Sequence, residues 1–238
     1  MEGLKEGFEY LVQLGEDKKP IIETPQGTFS TVSLSRVKEP KAEALAISTL
    51  TGFVDYIKSN IDAIDTKLLI HVVSPSVVKL YGPLNIDRDR ETYLAAGADL
   101  PNNIRYERFL DTEAFNIMLQ SSFTDQGDKE ILLKYTGLIK EENVKDTGDD
   151  GISQSVTIKT GVASVGQALV PNPVSLAPYR TFPEIEQPLS KFIFRMKDGP
   201  TAALFEADGG AWRNQAILGI KEYLQEELKE IESIEIIA

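Results

Sequence analysis

Three unlike patterns follow one another without interruption in the last third of the chain, and their order constrains the fold more than any other feature. Prolines fall at 171, 173, 178, 183 and 188. A proline has no N–H to donate to a sheet ladder, so Val170 to Pro188 is expected to be extended, edge-like or irregular rather than a central strand. From Lys191 to Ala207 the apolar period becomes two. Phe192, Phe194 and Met196 share a face, Asp198-Gly199 supplies a tight turn, and Ala203, Phe205 and Ala207 return, which predicts a β-hairpin. From Ala211 to about Glu230 the pattern becomes helical, with Trp212, Ala216, Ile217, Ile220, Leu224, Leu228 and Ile231 on one side and Lys221, Glu222, Gln225, Glu226 and Lys229 on the other. The short connection predicts a helix folded back over the hairpin, with Trp212 against Phe192, Phe194 and Phe205. The fold class that follows is α+β, with mixed or antiparallel sheet and a C-terminal amphipathic helix packed on a β-hairpin. No strand–Gly-loop–helix unit recurs, which argues against a doubly wound fold.

Upstream, Leu4, Phe8, Leu11 and Val12 recur at helical spacing from Gly3 to Leu14, with Gly15 placed as a C-terminal cap. Pro20 to Val37 reads as two short strands joined by Pro25-Gln26-Gly27. Pro40 opens a helix to about Asn60, carrying Ile47, Leu50, Phe53, Val54, Ile57 and Ile61 on one stripe. Lys67 to Val73 is a continuous apolar run that fits a strand covered on both faces, and Val77 to Tyr81 offers a second strand beyond Ser74-Pro75-Ser76. Pro83 to Arg108 reads as loop. Asp111 is expected to cap a helix through Ala114 and Phe115, and Asp128 another that Gly137 ends. Residues 140–151 read as an exposed acidic loop, and a strand follows at Ile152 to Val162. The whole chain, 1–238, is read as a single α+β domain; if it has two lobes, they divide near 140–151.

The chain has no cysteine, which excludes disulfides, Cys-ligated metals and thiol catalysis. Its net charge of −12 is spread evenly over both halves, so no basic excess for binding nucleic acid is evident. The acidic N-terminus lacks the apolar core of a signal peptide, and no apolar run reaches membrane-spanning length, so a soluble, cytoplasmic protein with no membrane contact is expected.

Catalytic signatures fail one by one. His71 is the only histidine and lies inside an apolar run, so His-pair metal sites are excluded and a structural histidine is the simpler reading. Val162-Ala163-Ser164-Val165-Gly166 lacks the first glycine of a nucleophile elbow. Gly161 and Gly166 have P-loop spacing, yet Gln167 and Ala168 stand where lysine and a hydroxyl are needed. Asp146-Thr147-Gly148 spells an aspartic-protease triplet but sits among charges, and as a calcium loop the stretch from Asp146 through Asp150 and Gly151 lacks the final bidentate Glu, having Thr157. Asp208-Gly209-Gly210 before Trp212 is expected to cap the last helix rather than to bind an anion. No catalytic, cofactor-binding or metal-ligating residue is assigned, and no cofactor.

The order of elements resembles that of an uncharacterised family encoded by tailed phages and prophages. The resemblance rests on the capped helix at Leu110 to Phe115, the strand at Ser155 to Ile158, the proline-punctuated segment ending near Phe182-Pro183, the hairpin from Phe192 to Phe205 and the closing helix. It implies a phage or prophage protein in a bacterial cytoplasm and transfers no catalytic residue. The expected function is a non-enzymatic accessory or interaction protein that self-associates or binds a protein partner, with the proline segment as a semi-rigid arm reaching a neighbouring subunit. One alternative is a carboxylate-based, metal-dependent hydrolase or nuclease using Asp87 and Asp89 beside Arg88 and Arg90. The other is a nucleic-acid-binding accessory protein using Arg88, Arg90, Arg105 and Arg108 around Tyr106.

Overall fold

Burial alternates residue by residue along three neighbouring strands: Leu68, Ile70 and Val72, then Val78 and Leu80, then Leu94 and Ala96 are buried, while Leu69, His71, Lys79 and Ala95 between them are half-buried. That two-residue period builds the larger sheet of the protein, seen here in a computed structural model that describes residues 2–16, 21–25, 27–30, 41–86, 88–138, 144–149, 154–160, 163–197 and 201–238. The chain divides into two compact units, Met1–Lys41 and Ala42–Ala238. The first holds helix α1 (Glu2–Glu16) and an antiparallel hairpin of β1 (Ile21–Thr24) and β2 (Gly27–Ser30). The second runs β3 (Leu45–Ile47), α2 (Leu50–Ser59), β4 (Leu68–Ser74), β5 (Val77–Leu84), β6 (Arg90–Gly97), β7 (Leu110–Asp111), α3 (Thr112–Ser122), α4 (Lys129–Leu138), β8 (Val144–Asp149), β9 (Gln154–Thr160), β10 (Ala163–Leu169), β11 (Val174–Leu176), β12 (Ser190–Lys197), β13 (Thr201–Glu206), α5 (Ala211–Glu227) and β14 (Ile234–Ile237). The fold is α+β. Among the described residues, no helix is long and apolar enough to cross a membrane.

Two cores organise the second unit. In the first, α3 and α4 lay Phe115, Met118, Leu119, Leu132 and Tyr135 on an antiparallel sheet ordered β11-β12-β13-β7, against Phe192, Phe194 and Leu204. In the second, α2 and α5 lay Phe53, Ile57, Ile220 and Leu224 on a mixed sheet ordered β14-β4-β5-β6-β3, in which β14 runs parallel to β4 and β3 parallel to β6. Strands β8 to β10 form a separate antiparallel meander.

The proline segment joins the two cores and is not a free arm. Val174 and Leu176 are fully buried in the first core, and Phe182 is fully buried in the second. Within it only Val174–Leu176 joins a ladder, as the edge strand β11, so the backbone beyond Leu176 needs other partners. The buried Gln187 provides them: its carbonyl oxygen accepts from the N–H groups of Arg180 at 2.8 Å and Thr181 at 3.2 Å, and its amide nitrogen donates to the carbonyls of Phe182 and Ile185 at 3.1 and 3.2 Å. Glu184 accepts from the Thr51 N–H at 3.0 Å, capping the first turn of α2 from a distant part of the chain.

Several local expectations change. The helix expected from Pro40 begins at Leu50, where the Thr49 hydroxyl accepts from the Gly52 N–H at 3.1 Å; Leu45–Ile47 pairs with β6 instead. The stretch from Pro83 to Arg108 contains strand β6, because Leu94 and Ala96 pack under α2 although the run Ala95-Ala96-Gly97 shows no clear period. Residues 140–151 are not all loop, since Val144–Asp149 pairs with β9. On β13 the inward residues are Ala202 and Leu204, which face Met196 and Phe194, while Phe205 lies on the other side and meets Phe109 edge-on at 6.3 Å. The turn Asp198-Gly199 lies outside the described residues, as does Gln26 of the first hairpin. Asp111 caps α3 as expected, accepting from the Ala114 N–H at 2.8 Å.

Asp128 precedes α4, and its carboxylate is turned to the edge of β11, accepting from the Ser175 N–H at 2.7 Å while its own N–H donates to the Ser175 carbonyl at 2.8 Å. The approach is possible because residue 127 is glycine. Gly127 has φ +63°, and a Cβ there would lie 2.1 Å from the Ser175 carbonyl oxygen. Gly127→Ala is therefore expected to lower stability by about 3 kcal/mol or more in chemical denaturation. Gly137→Ala, in the last turn of α4 with open space around it, should be neutral or stabilise by up to about 1 kcal/mol.

Candidate interaction surface

Helix α1 carries its apolar residues at positions i, i+4 and i+7, which brings Leu4, Phe8 and Leu11 onto one face with Val12 and Tyr10 at its margins. In a folded domain such a stripe is buried. Here Leu4 is 68% exposed, Phe8 65%, Leu11 63% and Val12 59%, so the first unit does not fold over them. The opposite side is charged, with Lys5 and Glu9 paired at 3.8 Å. Both residues of that pair are well exposed, so the ion pair contributes little and the helix gains most from whatever its apolar face meets.

The second unit holds a polar cluster of another kind. Arg180 is 6% exposed and lies between Phe192 and the ring of Trp212, with its guanidinium carbon 5.7 and 4.0 Å from their centroids. It donates to Glu206 at 2.9 Å and to the Ser190 hydroxyl. Burial works against the charged form of Asp208. Hydrogen bonds from the Ser190 hydroxyl and from the Gly210 and Trp212 N–H groups, with Arg180 nearby, nonetheless hold its carboxyl below the usual carboxylate range. Asp208 accepts from the Gly210 N–H at 2.9 Å in the turn before α5, whose N-cap position is Gly210 itself, with Gly209 and Gly210 at φ +63° and +80°. Tyr106 stacks on the far side of Phe192 at 5.5 Å, and burial pushes its phenol up to about 12. Stacking rings on the guanidinium in this way pairs a buried charge and ties the hairpin to the helix.

Trp212 is therefore only half-buried, and its facing partner is Arg180 rather than the hairpin phenylalanines. The helix starts on the hairpin through this contact, and its body then crosses to the five-stranded sheet, where Ala216, Ile220 and Leu224 are fully buried. Arg180 is the residue that sequence reasoning missed. Its signal was its place among prolines, where a charged residue has few ladder partners and needs side-chain ones.

The other nominated residues do not assemble into a site. His71 points away from the helix-covered side of β4, opposite Lys79 and 6.5 Å from the Tyr81 ring. Asp87 lies outside the described residues. Asp89 is engaged in the β5–β6 turn through its N–H to the Asn85 side chain at 2.9 Å, and Arg90 donates to the Gly82 carbonyl at 3.2 Å. Arg105 binds the carbonyls of Asn102 and Ile104, while Tyr106 turns inward onto Phe192 and so is not the stacking platform expected beside these arginines. Asp146, Thr147 and Gly148 lie in strand β8, not in a metal-binding loop, and Ser164 and Gly166 lie in β10. Asp150, Gly151 and Gly161 are outside the described residues. Among the described residues, no three His, Asp or Glu side chains come together as a metal site.

Two outcomes test the polar cluster. Arg180→Ala and Trp212→Ala should each destabilise the protein by about 3 kcal/mol, and the double variant should cost about 1 kcal/mol less than their sum in a denaturation cycle, because both remove one contact. For Tyr106, a folded-state pKa above the ordinary value of about 10 means that its contribution is complete below that pH and is lost as pH rises towards about 12. Melting curves taken across that range should fall less steeply for Tyr106→Phe than for the parent.

No family model matches the chain. No curated protein matches it. No solved structure matches it.

Proposed function

We propose that the chain is a non-enzymatic accessory or interaction protein that self-associates, and that α1 is its association element. One observation carries this reading: an amphipathic helix on a compact unit of its own leaves Leu4, Phe8 and Leu11 more than 60% exposed. Scattered exposed apolar residues need no explanation, but a helical stripe of them marks a surface that is covered in the working state. The rest of the protein supports the reading from the other side. The second unit closes two cores of its own, and its buried charge is spent on Arg180, Glu206 and Asp208 inside the fold. The order of elements further supports a phage or prophage origin and work in a bacterial cytoplasm.

Replacing Phe8 and Leu11 together by Asp tests this. Light scattering should find the parent protein assembling as its concentration rises and the variant monomeric, with melting temperatures alike because the exposed side chains contribute little within one chain. A parent protein that stays monomeric at every concentration would remove self-association. An assembly that the two aspartates leave intact would remove α1 from it.

A further inference from the structure

Independently of α1, we infer that the outer face of the four-stranded sheet binds single-stranded nucleic acid, with phosphates on Lys191, Arg195 and Lys197 and bases against Phe109 and Phe205. Strand β12 alternates strictly. Phe192, Phe194 and Met196 enter the first core, while Lys191, Ile193, Arg195 and Lys197 stand on the opposite face, where both lysines and Ile193 are exposed. Along an extended strand the two lysines lie about 20 Å apart, with Arg195 between them. The facing positions on β13 are Thr201, Ala203 and Phe205, so no carboxylate stands opposite a cation. The ion pairs among the described residues lie elsewhere, and the Arg195 guanidinium donates to the Phe194 carbonyl at 3.0 Å.

Three cations grouped without an acid run against a chain with 37 acidic and 25 basic residues. Opposite charges facing across a ladder would stabilise the sheet, and this face forgoes them. Lysines also guard exposed sheet edges, but β11 and β13 flank β12, which has no edge to guard. The acids nearest by register sit at the margins and are engaged. Asp111, opposite Thr201, accepts from the Ala114 N–H, and Asp128 accepts from the N–H of Ser175, which pairs with Lys191. Glu107 and Arg108, both exposed just before Phe109, offset each other. The rings decide between anionic partners. Phe109 meets Phe205 edge-on at 6.3 Å, and the Lys197 ammonium lies 4.1 Å from the Phe109 centroid, so a cation and two half-buried rings share one end of the face. An unpaired nucleotide brings a flat base to such rings and a phosphate to the cations. A duplex keeps its bases stacked inside and offers phosphates alone, whereas an acidic peptide offers carboxylates without a flat base. The face is hidden in the sequence because its cations alternate with core residues in a chain whose net charge is −12.

Fluorescence anisotropy of the full chain with labelled oligo-dT and oligo-U of about 15 nucleotides tests this, a length that matches single-strand sites. Three phosphate contacts predict a slope of about −2 for log K against log salt, hence a loss of about twentyfold between about 50 and 200 mM salt. Lys191→Gln together with Lys197→Gln should weaken low-salt binding about tenfold or more and flatten the slope to about −0.7. Phe109→Leu should weaken binding about tenfold with the slope unchanged, because it removes stacking and no charge. If Phe109→Leu fails to fold, the two lysine changes, both at exposed positions, still decide the matter. Preference for oligo-U marks RNA, preference for oligo-dT marks DNA, and equal binding marks a site blind to the sugar; all three support the face. No anisotropy change at low salt, or binding that the two glutamines leave intact, overturns it. A duplex of the same length bound as tightly as the single strand overturns the role of the rings and with it the single-strand site. Polyglutamate competing as well as unlabelled oligonucleotide would overturn it in favour of an acidic protein partner.

Discussion

A single buried guanidinium holds together the parts of the second unit that sequence order leaves apart. Arg180 sits where the proline segment leaves one core and enters the other, and it contacts Phe192 and Ser190 at the start of the hairpin, Glu206 at its end and Trp212 in the first turn of α5. Burying such a charge is unfavourable unless its donors and its faces are occupied. Here the carboxylate of Glu206 and the Ser190 hydroxyl take its terminal nitrogens and two aromatic faces flank it, while its Nε is buried without a partner. The arrangement fixes where the hairpin ends and where the helix begins, which in turn sets the direction in which α5 runs towards the larger sheet. Gln187 does the same for the backbone that prolines leave without a ladder, taking two N–H groups and giving to two carbonyls at once.

The second unit buries its apolar helix faces on its own sheets and pairs both of its buried cations, Arg180 and Lys129, while Arg180 Nε, Trp212 Nε1 and the Tyr106 hydroxyl stay buried without a hydrogen-bond partner. Helix α1 has the same kind of apolar face and no such solution among the described residues. The contrast gives the interaction reading its weight, because the physical rules that bury Phe53 and Ile220 apply equally to Phe8 and Leu11. Only the covering surface differs.

Where a sequence pattern is local, it was enough. The inward face of Phe192, Phe194 and Met196, the Asp111 cap and the buried face of α5 all depend on residues a few positions apart, and these appear as expected, whereas the returning strand turns Ala202 and Leu204 inward in place of Ala203 and Phe205. Patterns that depend on distant partners were hidden. Ala95 and Ala96 become strand only because β5 lies beside them and α2 above, and Ile234–Ile237 becomes strand only because Leu68–His71 offers a parallel edge. The helix expected from Pro40 starts late for a similar reason, since β6 claims Leu45–Ile47 first. The proline segment was legible as extended or irregular but not as buried, because its buried residues, Val174, Leu176 and Phe182, meet core partners that lie far away in sequence. For the candidate surface, the stripe of α1 was plain in the spacing of Leu4, Phe8 and Leu11; its exposure was not, since the same spacing describes a core helix.

That ambiguity has a physical root in α1 itself. A helix of this length is marginal in water when it stands alone, because nucleation costs several ordered residues before the hydrogen bonds accumulate. Three glycines, Gly3, Gly7 and Gly15, lower its intrinsic helicity further. The residues that would compensate are the apolar ones, and they do so only when an apolar surface meets them. Helix formation and association therefore draw on the same side chains. A substitution that raises helicity can still weaken the assembled state, and one that leaves the folded monomer untouched can abolish assembly.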